Sequence, residues 1–481
     1  MSDNNTTELE PTETLSTSTA TKKTPRKPSG LTERERLECF IRENSHELAY
    51  RPDARMWLHF DGNLWREDKD GVRATELAAE TTQAAFDELE PNQQAAVEHR
   101  WLAMTFPERL THAATRRRAI RVESELWDAQ PHLLGCANGV LDLKTGELLT
   151  GRPELRVSRS TGLVYDPAAT CPRFDRFLEE VQPNSPDVHA HLQRMAGYLL
   201  TGSTSVQKMW LLYGQGANGK TVLTETLLTM LGEYGQKGPS SVMLGRETHG
   251  GPRTDLTRLE GARLVALSET DKQDRFSEAR LKELTGGERI AARPLYQSEV
   301  EFTPQAKFLL TTNELPRVQG TDEGIWRRLI VVPFEQHFSS PDPLLKAALR
   351  EELPGILAWA VRGALAFYTA GEQLTVPPQL EMAGKSYRSQ QDTLSLFLEE
   401  RCVLAPGAFV ATEDLKEAYQ RWCTETDRTA LPWQSTVAPQ LHSRGLTREK
   451  RGKANRWGWS GVSLLSEDDR EGGATQLTVA A

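Results

Sequence analysis

The sequence has 481 residues, which is long for one compact domain, and its formal net charge is −9. This acidity excludes a histone-like protein that binds nucleic acid with its whole surface, although a local basic patch is compatible with it. No apolar run approaches the roughly 20 residues that cross a bilayer, and the polar amino terminus lacks a signal core, so we expect a cytoplasmic protein without a membrane partner. The five cysteines form no CxxC pair and are expected to be isolated thiols.

Composition predicts disordered tails at both ends of the chain, over residues 1–30 and 465–481. The first tail is rich in Thr, Ser and Pro and nearly devoid of large apolar residues, so it buries too little surface to fold. Residues 31–134 predict a mainly helical region, in which Thr32 and Glu35 have capping-box spacing. A hairpin turn is expected there at residues 61–63, Asp-Gly-Asn.

A second mainly helical region is predicted over residues 135–205. It contains a hairpin that turns at residues 144–146, Lys-Thr-Gly, and a helical stretch over residues 171–200 that Pro and Ser interrupt. A further helical segment is predicted over residues 337–390. The helical regions over residues 135–205 and 337–390 flank residues 206–336, whose sequence pattern is different.

Residues 206–336 predict an α/β core. Short, unbroken apolar runs are typical of strands that are buried on both faces of a parallel sheet, and helical segments separate the runs found here. The four runs lie at residues 209–213, 263–268, 307–312 and 328–334. The layered α/β arrangement follows from this alternation.

A nucleotide-binding loop follows the first of these runs. The motif GxxxxGK[ST] is matched in full by Gly214, Gln215, Gly216, Ala217, Asn218, Gly219, Lys220 and Thr221. Glycines let backbone N–H groups turn toward phosphate oxygens, Lys220 reaches the β- and γ-phosphates, and the Thr221 hydroxyl ligates Mg²⁺. The alternative is a glycine turn that caps a helix beside an ordinary surface lysine.

Polar residues end the next two apolar runs. Glu269 follows the second run, which we expect to be the neighbouring strand, where an acid contacts the Mg²⁺ shell or activates water. Ser268 stands where many ATPases have a first acid, so either Glu269 serves both roles or Asp271 assists. Asn313 ends the third run and can orient water and sense the γ-phosphate. A solvated Glu and an ordinary turn Asn are the alternatives.

Basic residues supply further candidates. Arg327 and Arg328 stand immediately before the strand expected from the fourth run, and arginine is suited to stabilising charge on a transferring phosphoryl group. In a ring, an arginine of one subunit can complete the site of its neighbour. The stretch 288–302 predicts a hairpin with a basic and aromatic tip that includes Arg293 and Tyr296, suited to a phosphate backbone and a base. The alternatives are a surface salt bridge and a solvated hairpin.

Residues 391–464 predict a small separate domain with a winged-helix pattern of two helices and a hairpin. Between residues 444 and 456 there are six Arg or Lys residues and one Glu. The candidates for contact with the phosphate backbone of DNA are Arg448, Lys450, Arg451 and Lys453. A winged helix that docks protein, with a solvated charge run, is the alternative.

The motifs taken together resemble a known family. The P-loop, Ser-Glu at residues 268–269, KELTGGERIAARPLY at 282–296, TTNELP at 311–316 and WRRLIVVPF at 326–334 occur in order. This set resembles superfamily III helicases of the AAA+ type, and more narrowly the phage- and plasmid-encoded primase-helicase family related to the poxvirus primase-helicase. The resemblance covers roughly residues 135–385. It implies an α/β AAA+ P-loop ATPase core with a helical amino-terminal region and a carboxyl-terminal winged helix.

The resemblance also implies a function. Members are hexameric rings that hydrolyse ATP with Mg²⁺ and translocate on single-stranded or forked DNA, typically 3′ to 5′, in replication of a phage, prophage or plasmid in the bacterial cytoplasm. By the same resemblance Lys220 and Thr221 bind phosphate and Mg²⁺, Glu269 is the Walker B acid and Asn313 the sensor. Arg327 or Arg328 is then the arginine finger, and Lys282 joins the Arg293–Tyr296 tip as a DNA contact.

The amino-terminal region departs from the family pattern. Residues 1–135 contain no zinc-binding cluster and no convincing acid pair, so we expect primase or polymerase activity to reside on a separate polypeptide or to be absent. Two other classes stay open. One is an AAA+ initiator or DNA-remodelling ATPase without processive unwinding, and the other is a nucleotide-switched binding module with negligible turnover.

Overall fold

The computed structural model describes residues 32–244, 254–268, 275–292, 300–318, 323–426, 428, 430–451 and 455–465. The chain divides into two units, of which the first is Met1–Phe60 with Arg66–Ser124 and the second is Asp61–Trp65 with Glu125–Ala481. None of the helices in these described ranges is long and apolar enough to cross a membrane. All five cysteines are free thiols, as the sequence predicts.

The first unit combines helices with a small sheet. Its elements are α1 (Glu33–Asn44), β1 (Leu48–Arg51), β2 (Met56–Phe60), β3 (Trp65–Asp68, whose first residue counts with the second unit), α2 (Val72–Asp87), α3 (Pro91–Trp101) and α4 (Phe106–Ala114). The predicted capping box is confirmed, because the Thr32 hydroxyl accepts from the Glu35 N–H at 3.2 Å and the Glu35 carboxylate accepts from the Thr32 N–H at 3.0 Å. The predicted turn at residues 61–63 is confirmed as the connection between β2 and β3, with Gly62 at φ +95°.

The second unit begins with a small sheet and two helices. Its first elements are β4 (Leu133–Cys136), β5 (Gly139–Asp142), β6 (Leu148–Leu149), α5 (Pro172–Val181) and α6 (Pro186–Leu200). The predicted hairpin at residues 144–146 is confirmed, since β5 and β6 pair antiparallel on either side of it. The interruption between α5 and α6 also lies where Pro and Ser predict it.

The central elements build a parallel sheet. In chain order they are β7 (Met209–Tyr213), α7 (Lys220–Leu231), β8 (Gly235–Pro239), α8 (Thr254–Thr257), β9 (Leu264–Ser268), α9 (Glu278–Gly286), β10 (Ile290–Ala292), β11 (Val300–Phe302), β12 (Lys307–Thr312), α10 (Glu323–Trp326) and β13 (Leu329–Pro333). The sheet order is β13-β7-β12-β9-β8, and every neighbouring pair is parallel. All four predicted strands are confirmed, and β10 and β11 form the predicted antiparallel pair.

The sheet differs from the sequence prediction in two respects. It has a fifth strand, β8, whose sequence GQKGP has no apolar run because β8 lies at the sheet edge and is only partly buried. In addition, β9 is not the neighbour of the P-loop strand, because β12 lies between β7 and β9. Chain order alone cannot reveal an inserted strand, since parallel strands are joined by crossover connections.

Both faces of the sheet are covered, which explains the unbroken apolar runs. Along β7, Trp210 and Leu212 pack into a core with α5, α6, α7 and the helix over residues 353–369. Met209 and Leu211 point to the opposite face, where they pack with α9 and α10. Alternate residues of the central strands thus enter two different cores, which favours apolar side chains on both faces of the sheet.

The carboxyl-terminal part contains the predicted helical pair and then a smaller cluster. Its elements are α11 (Leu345–Glu351), α12 (Leu353–Thr369), α13 (Pro378–Gln391), α14 (Thr393–Arg401), β14 (Cys402–Ala411), α15 (Thr412–Glu425), a π-helical turn (Trp433–Val437) continuing into α16 (Ala438–Ser443), β15 (Thr447–Arg451) and β16 (Arg456–Leu464). The two helices and the hairpin predicted from sequence are present. The structure adds β14, which pairs with β16 to give the sheet order β14-β16-β15.

Two buried cations tie the sheet to the helical region that precedes it. Arg263 and Lys307 lie at the amino ends of β9 and β12 and are 1% and 2% exposed. Arg263 donates to the Leu133 carbonyl at 2.7 Å and to the Leu200 carbonyl at the end of α6, and Lys307 donates to the Thr201 carbonyl. Burial, and secondarily the nearby Arg263, hold the pKa of Lys307 well below its usual value. Cations at a helix carboxyl terminus stabilise its unpaired carbonyls.

Replacing Arg263 with Met is expected to lower the free energy of unfolding by about 3 kcal/mol, because two buried carbonyls lose their charged donor. Urea denaturation monitored by circular dichroism measures the change. Arg289→Met is the matched control, because Arg289 is 57% exposed and pairs loosely with Glu125 at 3.4 Å. The control should change stability by less than about 0.5 kcal/mol. Equal effects of the two variants would contradict a structural role for Arg263.

Candidate functional site

The predicted P-loop forms a strand–loop–helix turn between β7 and α7. Gly214 has φ +152°, and a Cβ there would lie 2.1 Å from the Phe334 carbonyl oxygen. Gly219 has φ +90°, and a Cβ there would lie 2.5 Å from the Val181 side chain on α5. By contrast, a Cβ on Gly216 would meet open space. The chain's own packing therefore requires glycine at positions 214 and 219, whereas it leaves position 216 open.

Lys220 is the best-defined side chain of this loop. It is 4% exposed, and its ammonium donates to the Gly214 carbonyl at 2.6 Å and to the Asn218 side-chain oxygen at 2.9 Å. It also donates to the side-chain oxygen of Asn313 at 3.2 Å. Burial lowers the pKa of Lys220. The ammonium is thus held by neutral oxygens, and within the described residues no carboxylate forms an ion pair with it.

The position of Asn313 follows from the sheet order. Thr312 at the end of β12 lies opposite Tyr213 at the end of β7, so the residues that follow each strand share one edge of the sheet. Asn313 is exposed there, directly beside the P-loop. The structure therefore brings together Lys220 and Asn313, two residues that are 93 positions apart in sequence. Their proposed catalytic roles stay predictions.

Thr221 is exposed at the first turn of α7, where it lines a cavity above the P-loop. One turn later, the hydroxyl of Thr224 contacts the hydroxyl of Thr311 on β12 at 3.1 Å, which joins α7 to the sheet edge. β9 ends at Ser268, which lies opposite Thr311 in the parallel register. Glu269 and Asp271, the predicted acids, lie outside the residues that the structure describes.

A cavity of about 1350 Å³ opens above the P-loop at this edge. Its walls include groups that the sequence analysis missed, on α5, α7, α11 and the segment between β13 and α11. These groups are Arg173, Arg176, Phe177, Glu180, Glu225, Phe338, Asp342 and Lys346. No local motif marks them, because they come from separate helices and meet only in the folded chain.

The charged walls of the cavity are mostly paired. Arg173 lies 3.2 Å from Glu180 and 3.5 Å from Asp342, which links α5 to the segment after β13. Lys346 donates to Glu225 at 2.6 Å, and this hydrogen bond lowers the pKa of Glu225. The cavity wall is therefore built from α5, α7, α11 and the segment between β13 and α11.

The segment after β13 also holds the P-loop from outside. The side-chain amide of Asn218 donates to the Phe334 carbonyl at 3.0 Å, and the Phe338 N–H donates to the Ala217 carbonyl at 2.8 Å. Asn218 is 3% exposed and also accepts from Lys220. The loop is thus fixed in shape by contacts on two sides.

Arg327 and Arg328 lie at the opposite edge of the sheet. They precede β13, and the Arg328 carbonyl accepts from the N–H of Met209 at the start of β7. The Arg328 side chain is 7% exposed and donates to the Thr285 hydroxyl at 3.0 Å and to the Gly324 carbonyl at 2.6 Å. Arg327 is exposed. The five residues of β7 separate this edge from the P-loop by roughly 15 Å.

The predicted DNA contacts fall into three groups. Lys282 is half-buried on α9, whereas Arg293, Tyr296 and Lys453 lie outside the described residues. Arg448, Lys450 and Arg451 lie on β15, where all three are exposed. Arg451 forms an ion pair with Glu449 at 2.6 Å.

Not all six of the cations counted between residues 444 and 456 are available to a ligand, because some form ion pairs within the protein. Arg444, which the count includes, forms an ion pair with Asp392 at 2.7 Å. Its guanidinium also donates a hydrogen bond to the Ser395 hydroxyl at 3.0 Å. The local excess of positive charge is therefore concentrated on the strands of the hairpin.

Comparison with known protein families agrees with the predicted resemblance. Residues 38–183 match the family described as "D5 N terminal like", and residues 212–328 match a "Family of unknown function (DUF5906)". The first match lies partly in the amino-terminal region, outside the range over which the motifs suggested the resemblance. The second match begins at Leu212 and contains the whole P-loop, Asn313, and the pair Arg327 and Arg328.

Individual relatives come from large DNA viruses. A protein of Acanthamoeba polyphaga mimivirus named "Putative helicase L207/L206" is 32% identical over 240 residues, which are 48% of this chain and 25% of that protein. An African swine fever virus protein named "Putative primase C962R" is 28% identical over 324 residues, 61% of this chain and 33% of that protein. The chain thus spans a quarter to a third of the length of these relatives.

A solved structure, the "NrS-1 C terminal region", aligns with a TM-score of 0.49 and 10% identity over 89% of this chain and 98% of that chain. The relatives above infect eukaryotes, so a phage or plasmid setting stays a prediction. The predicted resemblance to the primase-helicase group itself is confirmed by the D5-like match and by the names of the viral relatives.

Substituting Gly219 with Ala is expected to lower the melting temperature, because the new methyl group meets Val181 in a backbone conformation that disfavours Ala. The expected cost is roughly 1–3 kcal/mol. Gly216→Ala is the matched control in the same loop and should change stability by less than about 0.5 kcal/mol. Thermal melting of both variants tests the assignment, and a destabilised Gly216→Ala protein would contradict the loop geometry.

Proposed function

We propose that this chain, a relative of the D5-like helicase and primase proteins of large DNA viruses, is an ATP-driven DNA helicase of the AAA+ type. The observation that carries the proposal is the contact between Lys220 and Asn313 at 3.2 Å on the rim of a cavity of about 1350 Å³. A lysine at the start of a helix and a polar amide at the end of the adjacent strand converge on one point. Such a pair suits the terminal phosphate of a nucleoside triphosphate.

The residues of the loop fit a triphosphate. In the proposal, backbone N–H groups of residues 215–219 donate to phosphate oxygens, and the Lys220 ammonium exchanges the loop carbonyls for the β- and γ-phosphates. The open space beside Gly216 is where a phosphate approaches the backbone without displacing protein atoms. Asn313 holds the attacking water or senses the γ-phosphate.

The same site fits Mg²⁺. The exposed Thr221 hydroxyl is an oxygen ligand of the kind that Mg²⁺ prefers, and Glu269 is the proposed acid of its shell. Mg²⁺ supplies charge neutralisation of the phosphate oxygens when bound. Glu269 polarises water, alone or with Asp271.

Arg327 is the better candidate for the arginine finger. Arg328 is buried and bonded within its own subunit, so it supports the fold, whereas Arg327 is exposed. Because Arg327 lies at the sheet edge opposite the P-loop, it does not reach the site of its own subunit. It therefore serves a neighbour, which requires a head-to-tail ring, proposed here as a homo-hexamer.

DNA is the proposed substrate. Translocation on single-stranded or forked DNA, 3′ to 5′, is proposed from the family resemblance, with contacts from Lys282, Arg293 and Tyr296. The carboxyl-terminal cluster is proposed as a winged helix that contacts DNA through β15 and β16. A separate primase or polymerase is the proposed partner of the ring.

A replication initiator or DNA-remodelling ATPase is the second candidate. It has the same nucleotide site and differs only in lacking processive strand separation. A nucleotide-switched binding module is the third, and it would function without the acid Glu269. The D5-like match and the helicase names of several relatives favour the first candidate.

Strand displacement distinguishes these candidates. The wild-type chain with ATP and Mg²⁺ should unwind a fork with a 3′ single-stranded tail and leave a 5′-tailed fork intact. Lys220→Ala should abolish unwinding and lower ATP hydrolysis at least about 100-fold, because the charge on the terminal phosphates is lost. DNA-stimulated hydrolysis without strand separation would reject the helicase in favour of the second candidate.

Mixing two inactive variants tests the finger in trans. Arg327→Ala should retain nucleotide binding and lose ATP hydrolysis at least about 100-fold. An equal mixture with Lys220→Ala should recover up to about a quarter of the wild-type rate, because half of the sites keep Lys220 and half of these face an intact Arg327. Exposed Arg421 provides the control variant Arg421→Ala, which should stay active. Full activity of Arg327→Ala, or no recovery on mixing, would contradict the assignment.

A further inference from the structure

An exposed tryptophan lies on the β15–β16 hairpin. Trp457 is 49% exposed and stands directly opposite Lys450 in the antiparallel register. Its neighbour two residues on, Trp459, is 1% exposed and packs against His442 with ring centroids 4.9 Å apart. Trp459 therefore belongs to the hydrophobic core of this part of the chain. Trp457 lies outside that core, so packing of the core does not require a large flat side chain at position 457.

Two cations lie over the indole of Trp457. The guanidinium carbon of Arg448 is 5.1 Å from the ring centroid, and the ammonium of Lys450 is 5.0 Å from it. Within the described ranges, neither cation has a carboxylate at ion-pair distance. Arg444 and Arg451 differ in this respect, because both are paired. Arg448, Lys450 and Trp457 together form the hairpin cluster.

The hairpin cluster combines two chemical capacities. Unpaired cations attract phosphate groups, and a large exposed aromatic face stacks on any base that is itself unstacked. The adjacent helical segment Trp433–Ser443 contains no Lys or Arg, so this segment offers no cation for phosphate groups beside the hairpin. A duplex keeps its bases stacked, so it would engage the cations and offer no base to the exposed face of the indole.

We infer that the hairpin cluster binds single-stranded DNA, with Trp457 stacked on one base and Arg448 and Lys450 contacting the flanking phosphates. This rests on the proposed function in one respect, namely that the chain acts on DNA. It adds a residue absent from the sequence-predicted contacts and commits the hairpin to single strands. The contacts on the indole hold the two cations near the base position before DNA arrives, which reduces the conformational cost of binding.

Fluorescence anisotropy of the full-length chain with labelled oligothymidine, and separately with a labelled duplex of equal length, tests the inference without nucleotide. Trp457→Leu should weaken oligothymidine binding roughly 5- to 100-fold, because one base loses its aromatic partner. Duplex affinity should change less than about twofold. Trp457→Phe should recover most of the affinity, since a smaller aromatic ring still stacks.

Salt dependence separates the roles of the three residues. Lys450→Ala should reduce the slope of log affinity against log salt concentration by about 0.7 for the single strand, whereas Trp457→Leu should leave that slope unchanged. Lys416, exposed on α15, provides the control variant Lys416→Ala, which should bind like the wild type. Thermal melting confirms that the half-exposed Trp457 variants are folded.

Unchanged oligothymidine binding by Trp457→Leu would overturn the inference, and so would absent single-strand binding by the wild type. Equal weakening on single and double strands would overturn the commitment to single strands. ATP hydrolysis measured without DNA is an independent readout. If the wild type hydrolyses ATP and unwinds forks, and Trp457→Leu binds oligothymidine as tightly as the wild type, the inference about the hairpin cluster fails and the proposed function stands. If the wild type does not hydrolyse ATP but Trp457→Leu weakens its binding to oligothymidine, the proposed function fails and the inference stands.

Discussion

Parallel pairing of β12 with β7 sets Thr312 opposite Tyr213, so that Asn313 and the P-loop emerge side by side from one edge of the sheet. The Gly214 N–H donates to the Thr312 carbonyl at 3.3 Å and continues that pairing into the loop. A slip of one residue would turn the apolar side chains of β12 to the wrong faces. Because both faces are buried, the packing of the two cores fixes this register, and the contact between Lys220 and Asn313 depends on it.

Cations of similar chemistry have different roles in this chain because of burial and partners. Arg263 and Lys307 are buried and donate to the Leu200 and Thr201 carbonyls, so they stabilise the junction between the end of α6 and the sheet. Lys220 is buried against neutral oxygens of the P-loop and of Asn313. Arg327 is exposed at the sheet edge opposite the P-loop. An acidic net charge thus coexists with local positive charge at separate positions.

The loop that follows Asn313 is connected to the carboxyl-terminal cluster through α13. The hydroxyl of Tyr387 donates to the Pro316 carbonyl, and the Val318 N–H donates to the side chain of Gln391 at 3.2 Å. The next residue, Asp392, caps α14 through the Ser395 N–H and pairs with Arg444. One helix therefore supports both the edge of the candidate nucleotide site and the base of the cluster that carries the hairpin.

The P-loop motif, four of the five core strands, the helices that flank them and the basic hairpin could all be predicted from the sequence. These features are local, because glycine spacing, apolar runs and caps are set by residues close together in the chain. The strand β8 escaped detection because an edge strand does not need an apolar run. Three features became visible only in the folded chain: β12 lies beside the P-loop strand, Arg328 is buried whereas Arg327 is exposed, and α5 and the segment after β13 line the cavity. Each of these depends on which distant segments pack together, and a single sequence does not encode that pairing in any local pattern.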